Sequence, residues 1–158
     1  MAKRRRKAAA GDVATNRQAS YRFNLLERFE CGIVLTGTEV KSLREGNAQL
    51  KDSYAAVRGN EIWLIGMYIA PYAPGSRQNH DPERDRKLLL HRSEIERLIG
   101  KTRERGLTLV PTRLYFSGSR AKVELALARG KDVYDKRQAI RKREVAREVQ
   151  RELREAQR

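Results

Sequence analysis

Cysteine and long apolar runs are scarce in this sequence of 158 residues, and acidic residues are outnumbered by basic ones. The single cysteine, Cys31, excludes an intrachain disulfide. The longest stretch without a charge, residues 62–76, holds two prolines and two glycines and falls short of the ~18 apolar residues that a membrane span requires. No apolar segment follows the basic N-terminus, so the core of a secretory signal is missing. We therefore expect a cytoplasmic protein that does not cross a membrane.

A surplus of basic residues gives the chain a strong positive charge. Lys and Arg number 35 against 20 Asp and Glu, which gives a net charge of +15 at pH 7. The density is highest at the two ends, because residues 1–20 carry six cations and one anion, and residues 129–158 carry eleven and six. This balance indicates a polyanionic partner, and nucleic acid is the first candidate.

The length fits one folded domain with basic extensions at both ends. The first 15 residues contain no large apolar side chain beyond Met1 and Val13, so they bury too little surface to offset the entropy of ordering. We predict a disordered basic arm at 1–15, an RNA-binding β-barrel domain at 16–130 and a basic C-terminal tail at 131–158.

Apolar and polar residues alternate with period two through much of the segment 21–128, which predicts antiparallel strands. Residues 21–25 and 31–35 form either one long strand bent at Gly32 or a pair of strands. Residues 53–58 and 61–70 flank the turn Gly59-Asn60 and predict a hairpin. Residues 107–116 and 121–128 predict a second hairpin around a four-residue loop.

Two helices interrupt the strands. Residues 37–44 predict a short helix that ends at Gly46. After a loop at 71–85, Ser93 and Glu96 have the spacing of a capping box and begin a second helix. About six strands with two helices indicate a small oligonucleotide-binding-like antiparallel barrel with flanking helices. An open antiparallel sheet covered by helices is the alternative.

Residues with catalytic chemistry are few and isolated. His80 and His91 have no second histidine or cysteine at the spacing of metal ligands. Cys31 lies between apolar residues and is interpreted as a small buried hydrophobe. No glycine pattern matches a nucleotide-binding loop. We expect no enzyme activity, no metal and no cofactor.

A basic cluster precedes an apolar stretch and indicates phosphate binding. Arg84, Arg86 and Lys87 adjoin the apolar residues 88–90, which anchor them in space. A solvated loop of charges is the alternative reading. Five aromatic residues are candidates for stacking on bases, although aromatics in strands belong more often to the core: Trp63, Tyr68, Tyr72, Tyr115 and Phe116.

Four stretches of the sequence resemble the SsrA-binding protein family, SmpB. The resemblance runs from about Val13 to Arg158, and the motifs occur in the order and spacing of the family. They are ECGIVLTGTEVKSLREG (30–46), KDSYAAV (51–57), DPERDRKLLLH (81–91) and KVELALARGKDVYDKR (122–137). The resemblance implies an oligonucleotide-binding-like barrel and an adaptor without catalytic activity.

The resemblance also implies partners and site residues. Family members bind the tRNA-like domain of transfer-messenger RNA. With elongation factor Tu, they bring it to stalled ribosomes, where the tail enters the small-subunit decoding site and mRNA channel. The family's RNA-binding positions fall on Asn16, Arg17, Glu30, Leu89 and Lys122. Its ribosome-binding tail motif falls on Gly130, Lys131, Tyr134, Asp135, Lys136 and Arg137, with Asp132 at a position where lysine is common.

The tail carries a four-residue repeat that bears on its folding. Arg143, Arg147 and Arg151 form one row on a helix, and a thin apolar row accompanies them at Val145, Val149 and Leu153. Repulsion within the arginine row offsets the favourable glutamate pairs. We predict that the free tail is mostly disordered and becomes helical on the ribosome.

Two other classes of function stay open on the residues alone. A ribosomal or general RNA-binding protein with the same barrel would not prefer transfer-messenger RNA over tRNA. A small RNA-processing enzyme would turn over RNA.

Overall fold

The computed structural model describes residues 11–104, 106–131 and 133–157. Within these residues the elements follow in the order β1 (Asp12–Thr15), α1 (Arg17–Arg22), β2 (Phe23–Ile33), α2 (Gly37–Arg44), β3 (Ala48–Gln49), β4 (Tyr54–Arg58), β5 (Glu61–Ile65), β6 (Tyr68–Ile69), a 3-10 helix (Ala73–Gln78), β7 (Arg86–Leu89), α3 (Arg92–Thr102), β8 (Leu107–Ser117), β9 (Arg120–Gly130) and α4 (Val133–Ala156).

The main sheet closes on itself. Its strand order is β1-β8-β4-β5-β7-β2-β9, and β8 also pairs with β9, so six strands form a ring with β1 attached to β8. Every pairing is antiparallel, and β3 and β6 form a separate small sheet. The predicted mainly β fold, a closed antiparallel barrel with flanking helices, is confirmed, and the alternative of an open sheet is wrong.

The start of the folded body differs from the prediction. Asp12–Thr15 form β1 on the edge of β8, so this part of the expected arm is ordered. Ala14 is buried in the core there, which shows that a small side chain suffices when the backbone pairs with a neighbouring strand. Residues 1–10 of the expected arm lie outside the described residues.

The first long strand begins later than its alternation indicated. Tyr21 and Arg22 end α1, and β2 runs without a break from Phe23 to Ile33. Of the two readings offered for this segment, one continuous strand is therefore confirmed. Its irregularity in pairing with β9 lies between Leu25 and Glu27, and not at Gly32.

The predicted turns are correct in kind, with local differences. Gly46 ends α2 with φ +75°, as expected. The second hairpin turns at Gly118 and Ser119, a two-residue turn that Gly118 allows with φ +61°. The capping box predicted at Ser93 and Glu96 is wrong, because the N-cap of α3 is His91, two residues earlier, and Glu94 Oε2 accepts from the His91 backbone N–H at 3.2 Å.

A charged cluster is buried inside the apolar core. Glu39 of α2 and Arg86 of β7 have no exposed surface, and the Arg86 Nε atom is 2.7 Å from Glu39 Oε2. Arg86 also donates to the carbonyl oxygens of Met67 at 2.7 Å and Pro82 at 3.2 Å. Arg84 binds the other Glu39 oxygen. Burial lowers the pKa of the Arg86 guanidinium, against the opposing effect of Glu39.

The C-terminal tail is one long helix beside the barrel. α4 has 24 residues, about 36 Å at 1.5 Å per residue. Its apolar row is exposed at Val145, Val149 and Leu153, as expected for a row too thin to bury well. Arg143 lies 5.7 Å from the Tyr21 ring of α1. That this helix forms only on the ribosome stays a prediction. Across the described residues, no helix is long and apolar enough to cross a membrane.

Candidate nucleic-acid interface

An open groove of about 710 Å³ on the outer face of the barrel brings together three of the predicted RNA-binding residues. Glu30 comes from β2, Leu89 from β7 and Lys122 from β9, and all three line this groove. They meet because β2 lies between β7 and β9 in the ring. Leu89 is 50% exposed, so its side chain is accessible from the groove.

Gly32 forms the floor between Leu89 and Lys122. The strand register places it opposite both residues, one on each neighbouring strand. A Cβ at this position would lie 3.2 Å from Leu89 Cβ, closer than ordinary contact. The glycine therefore lets Leu89 pack down over β2 and keeps the groove open. The sequence alone suggested only a bend here.

The carboxylate of Glu30 holds two neighbouring side chains, that of Lys122 in the groove and that of Tyr115 beside it. Lys122 Nζ lies 3.1 Å from Glu30 Oε1, and the Tyr115 hydroxyl donates to Glu30 Oε2. These contacts, with the Tyr115 hydrogen bond the stronger cause, lower the pKa of Glu30 below its ordinary value. Burial and then the Glu30 carboxylate raise the pKa of Tyr115 to about 12. A neutral tyrosine and an ionised glutamate thus fix the lysine ammonium at the surface.

Asn16 and Arg17 lie at a second groove of about 310 Å³, which Arg28, Arg113 and Glu124 also line. The Asn16 side chain donates to the Pro111 carbonyl at 2.9 Å, so it anchors the start of α1 on β8.

Arg113 connects the two grooves, and sequence reasoning missed it. Its guanidinium carbon lies 4.3 Å from the centre of the Tyr115 ring, and Tyr115 reaches Glu30. Burial lowers the pKa of Arg113, but Asp12, Glu124 and Tyr115 together raise it above its ordinary value. The signal was present, because alternation along β8 puts residues 113 and 115 on one face.

The structure separates the predicted basic cluster. The prediction that Arg86 contacts phosphate is wrong, because its side chain is fully buried against Glu39. Arg84 is also directed inward, onto Glu39 and the carbonyl oxygens of Val34 and Asp85. Lys87 is partly exposed and pairs with Glu61 at 2.8 Å, away from the groove residues. Its contact with RNA stays a prediction.

The tail residues are placed along the end of β9 and along α4. Gly130 ends β9, and Lys131 donates from Nζ to the Ser20 carbonyl at 2.8 Å. Arg137, Arg143, Arg147 and Arg151 are exposed on α4. Tyr134, Asp135 and Lys136 lie in its first turn, and their side chains fall outside the described residues, as does Asp132.

Neither histidine joins a cluster of possible metal ligands. His80 lies 2.9 Å from the Thr38 hydroxyl and 3.0 Å from the Ile69 carbonyl, and so ties the loop before β7 to α2 and β6. No group of three or more His, Cys, Asp or Glu side chains suited to a metal ion occurs among the residues that the structure describes. Cys31 is fully buried, and burial raises the pKa of its thiol to about 12.

The structure is a closed antiparallel barrel with an open groove on its outer face, and a lysine lines this groove. These features define a barrel protein of the oligonucleotide-binding type. Comparison with known proteins gives the family. The SmpB protein family matches residues 13–155, and the chain belongs to it.

Its relatives cover nearly the whole chain. The SsrA-binding protein of Carboxydothermus hydrogenoformans is 55% identical over 142 residues, which are 90% of this chain and 95% of that one. The SsrA-binding protein of Desulforudis audaxviator is 58% identical over 90% and 93% of the two chains. A solved structure described as "tmRNA-SmpB: a journey to the center of the bacterial ribosome" matches with a TM-score of 0.66 at 49% identity. It covers 80% of this chain and 93% of that chain.

Proposed function

We propose that this protein binds the tRNA-like domain of transfer-messenger RNA and delivers it to stalled ribosomes for trans-translation, in which the ribosome is rescued and the nascent peptide is tagged. The relatives are SsrA-binding proteins, and the similar solved structure is described in the words tmRNA-SmpB and bacterial ribosome. The net charge of +15 suits both RNA partners.

One observation carries the assignment of the RNA-binding face. Glu30, Leu89 and Lys122 come from three different strands and line one groove. Non-specific electrostatic attraction between a basic protein and RNA does not require these residues to converge. Recognition of the defined surface of a folded RNA does. Lys122 supplies a charge for phosphate, and Leu89 supplies apolar contact. Glu30 positions Lys122 and Tyr115, and its exposed side chain can also accept from a 2′-hydroxyl.

The three parts of the chain have different roles in this proposal. Residues 16–130, extended by β1, form the RNA-binding body. Residues 131–158 form the ribosome-binding tail, which becomes helical along the mRNA channel near the decoding site. The exposed arginine row of α4 suits a channel lined with phosphate. Elongation factor Tu is an indirect partner through the RNA, and the site of action is the cytoplasm.

The proposed role is that of an adaptor and not of an enzyme. Cys31 is enclosed and His80 is hydrogen-bonded within the fold, so neither side chain is placed as a nucleophile or a general base at the groove.

A competition experiment tests the proposal. Labelled tRNA-like domain of transfer-messenger RNA is bound to the full chain at fixed salt, and unlabelled tRNA or the unlabelled domain is added. We expect tRNA to compete much less well. Equal competition would favour a general RNA-binding protein, and RNA cleavage during the assay would favour a processing enzyme.

A pair of variants tests the groove. Lys122→Ala should weaken binding and flatten its dependence on salt, because one phosphate contact is lost. Lys101→Ala is the matched control, since Lys101 of α3 also pairs with a glutamate, Glu104 at 3.6 Å, but does not line the groove. Equal binding by wild type and Lys122→Ala would show that the RNA-binding face lies elsewhere.

A further inference from the structure

Arg113 is held on three sides at the surface of β8. Its Nη1 atom lies 3.2 Å from Asp12 Oδ1, and its Nε atom lies 3.2 Å from Glu124 Oε2. The two carboxylates come from opposite sides, because β1 and β9 both pair with β8 around this residue. Tyr115, two residues along the same face, covers the guanidinium at 4.3 Å. The guanidinium plane is therefore fixed along two edges and across one face.

Part of the Arg113 side chain remains exposed despite these contacts. The Arg113 side chain is 43% exposed, although its partners Asp12 and Glu124 are only 8% and 17% exposed. Arg113 also lines the second groove, whose volume of about 310 Å³ is at the lower end of the range for small-ligand pockets. A planar cation that is supported on one face and still exposed is a stacking surface for an unpaired base. Because its neighbours already order it, little side-chain entropy is lost when RNA binds.

We propose that Arg113 binds RNA by stacking on an unpaired base, with Tyr115 supporting its opposite face. This rests on the proposed function, since it requires the same RNA on the same outer face. The two carboxylates already balance the charge of Arg113, so its contribution is stacking and not the neutralisation of a phosphate. Lys122 differs, because its single carboxylate partner, Glu30, is 57% exposed and a phosphate can replace it.

The same pair joins the two grooves into one surface. Tyr115 reaches Glu30 in the first groove, and Arg113 lines the second groove beside Asn16 and Arg17. The RNA-binding face then extends across β7, β2, β9 and β8 to the start of α1. An RNA that follows this strip places one unpaired nucleotide over Arg113.

The conservative variant Arg113→Lys tests the stacking. It retains a cation beside Asp12 and Glu124 and removes the planar group. We expect about 5- to 100-fold weaker binding of a transcript of the tRNA-like domain. The slope of log K against log salt should stay that of wild type, whereas Lys122→Ala should flatten it.

Arg58→Lys is the matched control. Arg58 makes the same two kinds of contact, an ion pair with Asp85 at 2.8 Å and an approach of 5.9 Å to the Trp63 ring, but it lines neither groove. We expect wild-type affinity for this variant. Urea unfolding of both lysine variants shows whether each is folded at the temperature of the binding assay.

An abasic scan identifies the nucleotide without relying on stability. Transcripts lacking one base at each unpaired position in turn are bound to wild type and to Arg113→Lys. We expect one position at which base removal weakens wild-type binding and leaves the variant unaffected. Three results would overturn the proposal. Arg113→Lys could bind with wild-type affinity, or its binding could depend less on salt than that of wild type. In the abasic scan, removal of a base could weaken wild type and the variant equally at every position. If Lys122→Ala also bound RNA like wild type, the proposed RNA-binding face would be wrong as well. If Lys122→Ala weakened binding as expected, only the proposal for Arg113 would be wrong.

Discussion

Replacing Glu39 with glutamine removes the counterion of a fully buried arginine. Arg86 has no exposed surface, and its other partners, the carbonyl oxygens of Met67 and Pro82, are neutral. Breaking a buried pair on one side costs about 3–5 kcal/mol, because the remaining charge is left uncompensated. We expect a loss of this size in the free energy of unfolding of Glu39→Gln. It would be at least about a fifth of the roughly 5–15 kcal/mol that stabilises an ordinary domain.

Urea unfolding followed by circular dichroism measures this loss directly. In a thermal melt the same change corresponds to a decrease of about 12–20 °C, at roughly 4 °C per kcal/mol for a domain of this size. The double variant Glu39→Gln/Arg86→Met should lose less than the sum of the two single variants, because it leaves no lone buried guanidinium. Lys87→Met is the control on the same strand. Its ion pair with Glu61 is partly exposed and is worth about 0–1 kcal/mol.

The same variants decide between a structural and an RNA-binding role for Arg86. At a temperature where Arg86→Met is folded, its affinity for the tRNA-like domain should equal that of wild type. A cost below about 1 kcal/mol for Glu39→Gln would refute the reasoning about the buried pair. A specific loss of RNA affinity in folded Arg86→Met would instead show that Arg86 reaches the RNA.

Three further predictions concern Cys31, Tyr115 and the tail. The Cys31 thiol is fully buried, and burial raises its pKa to about 12. A thiol reagent near neutral pH should therefore label the denatured chain and not the native one, and rapid labelling of the native chain would contradict the burial. Tyr115 has a folded pKa of about 12 against an ordinary value of 10.0, so the stability from its neutral hydroxyl is complete below pH 10 and is lost as pH rises towards 12. The ultraviolet titration difference between wild type and Tyr115→Phe should therefore have its midpoint near 12, and a midpoint near 10 would argue against the Glu30 contact. Truncation after Gly130 should leave RNA binding nearly unchanged, because α4 is largely exposed. It should abolish peptide tagging in a reconstituted ribosome assay. Loss of RNA binding in this variant would show that the tail is part of the folded body.

The sequence determined the strand and turn pattern to a useful degree because these depend on neighbouring residues. The apolar flanks of Gly59-Asn60 predicted the first hairpin, although its second strand ends at Ile65 and not at residue 70. Alternation predicted the strands of the second hairpin, which turns at Gly118. The glycine at 46 predicted the end of α2. Charge predicted an RNA partner, and the family motifs predicted the groove residues Glu30, Leu89 and Lys122. The inferences about turns and charge need only spacing or residue type, whereas the three groove residues come from the family resemblance.

Only the tertiary structure decided which of the cations are buried and which are exposed. Alternation along β7 puts Arg86 on the opposite face from Lys87, but it does not say which face is inside. The core accepted the arginine because Glu39, 47 residues earlier in the chain, supplies a buried carboxylate. In the same way, Arg113 became a fixed platform only when β1 and β9 brought Asp12 and Glu124 to its two edges. Strand order and register bring these partners together from positions far apart in the sequence, so the local residue pattern does not predict them.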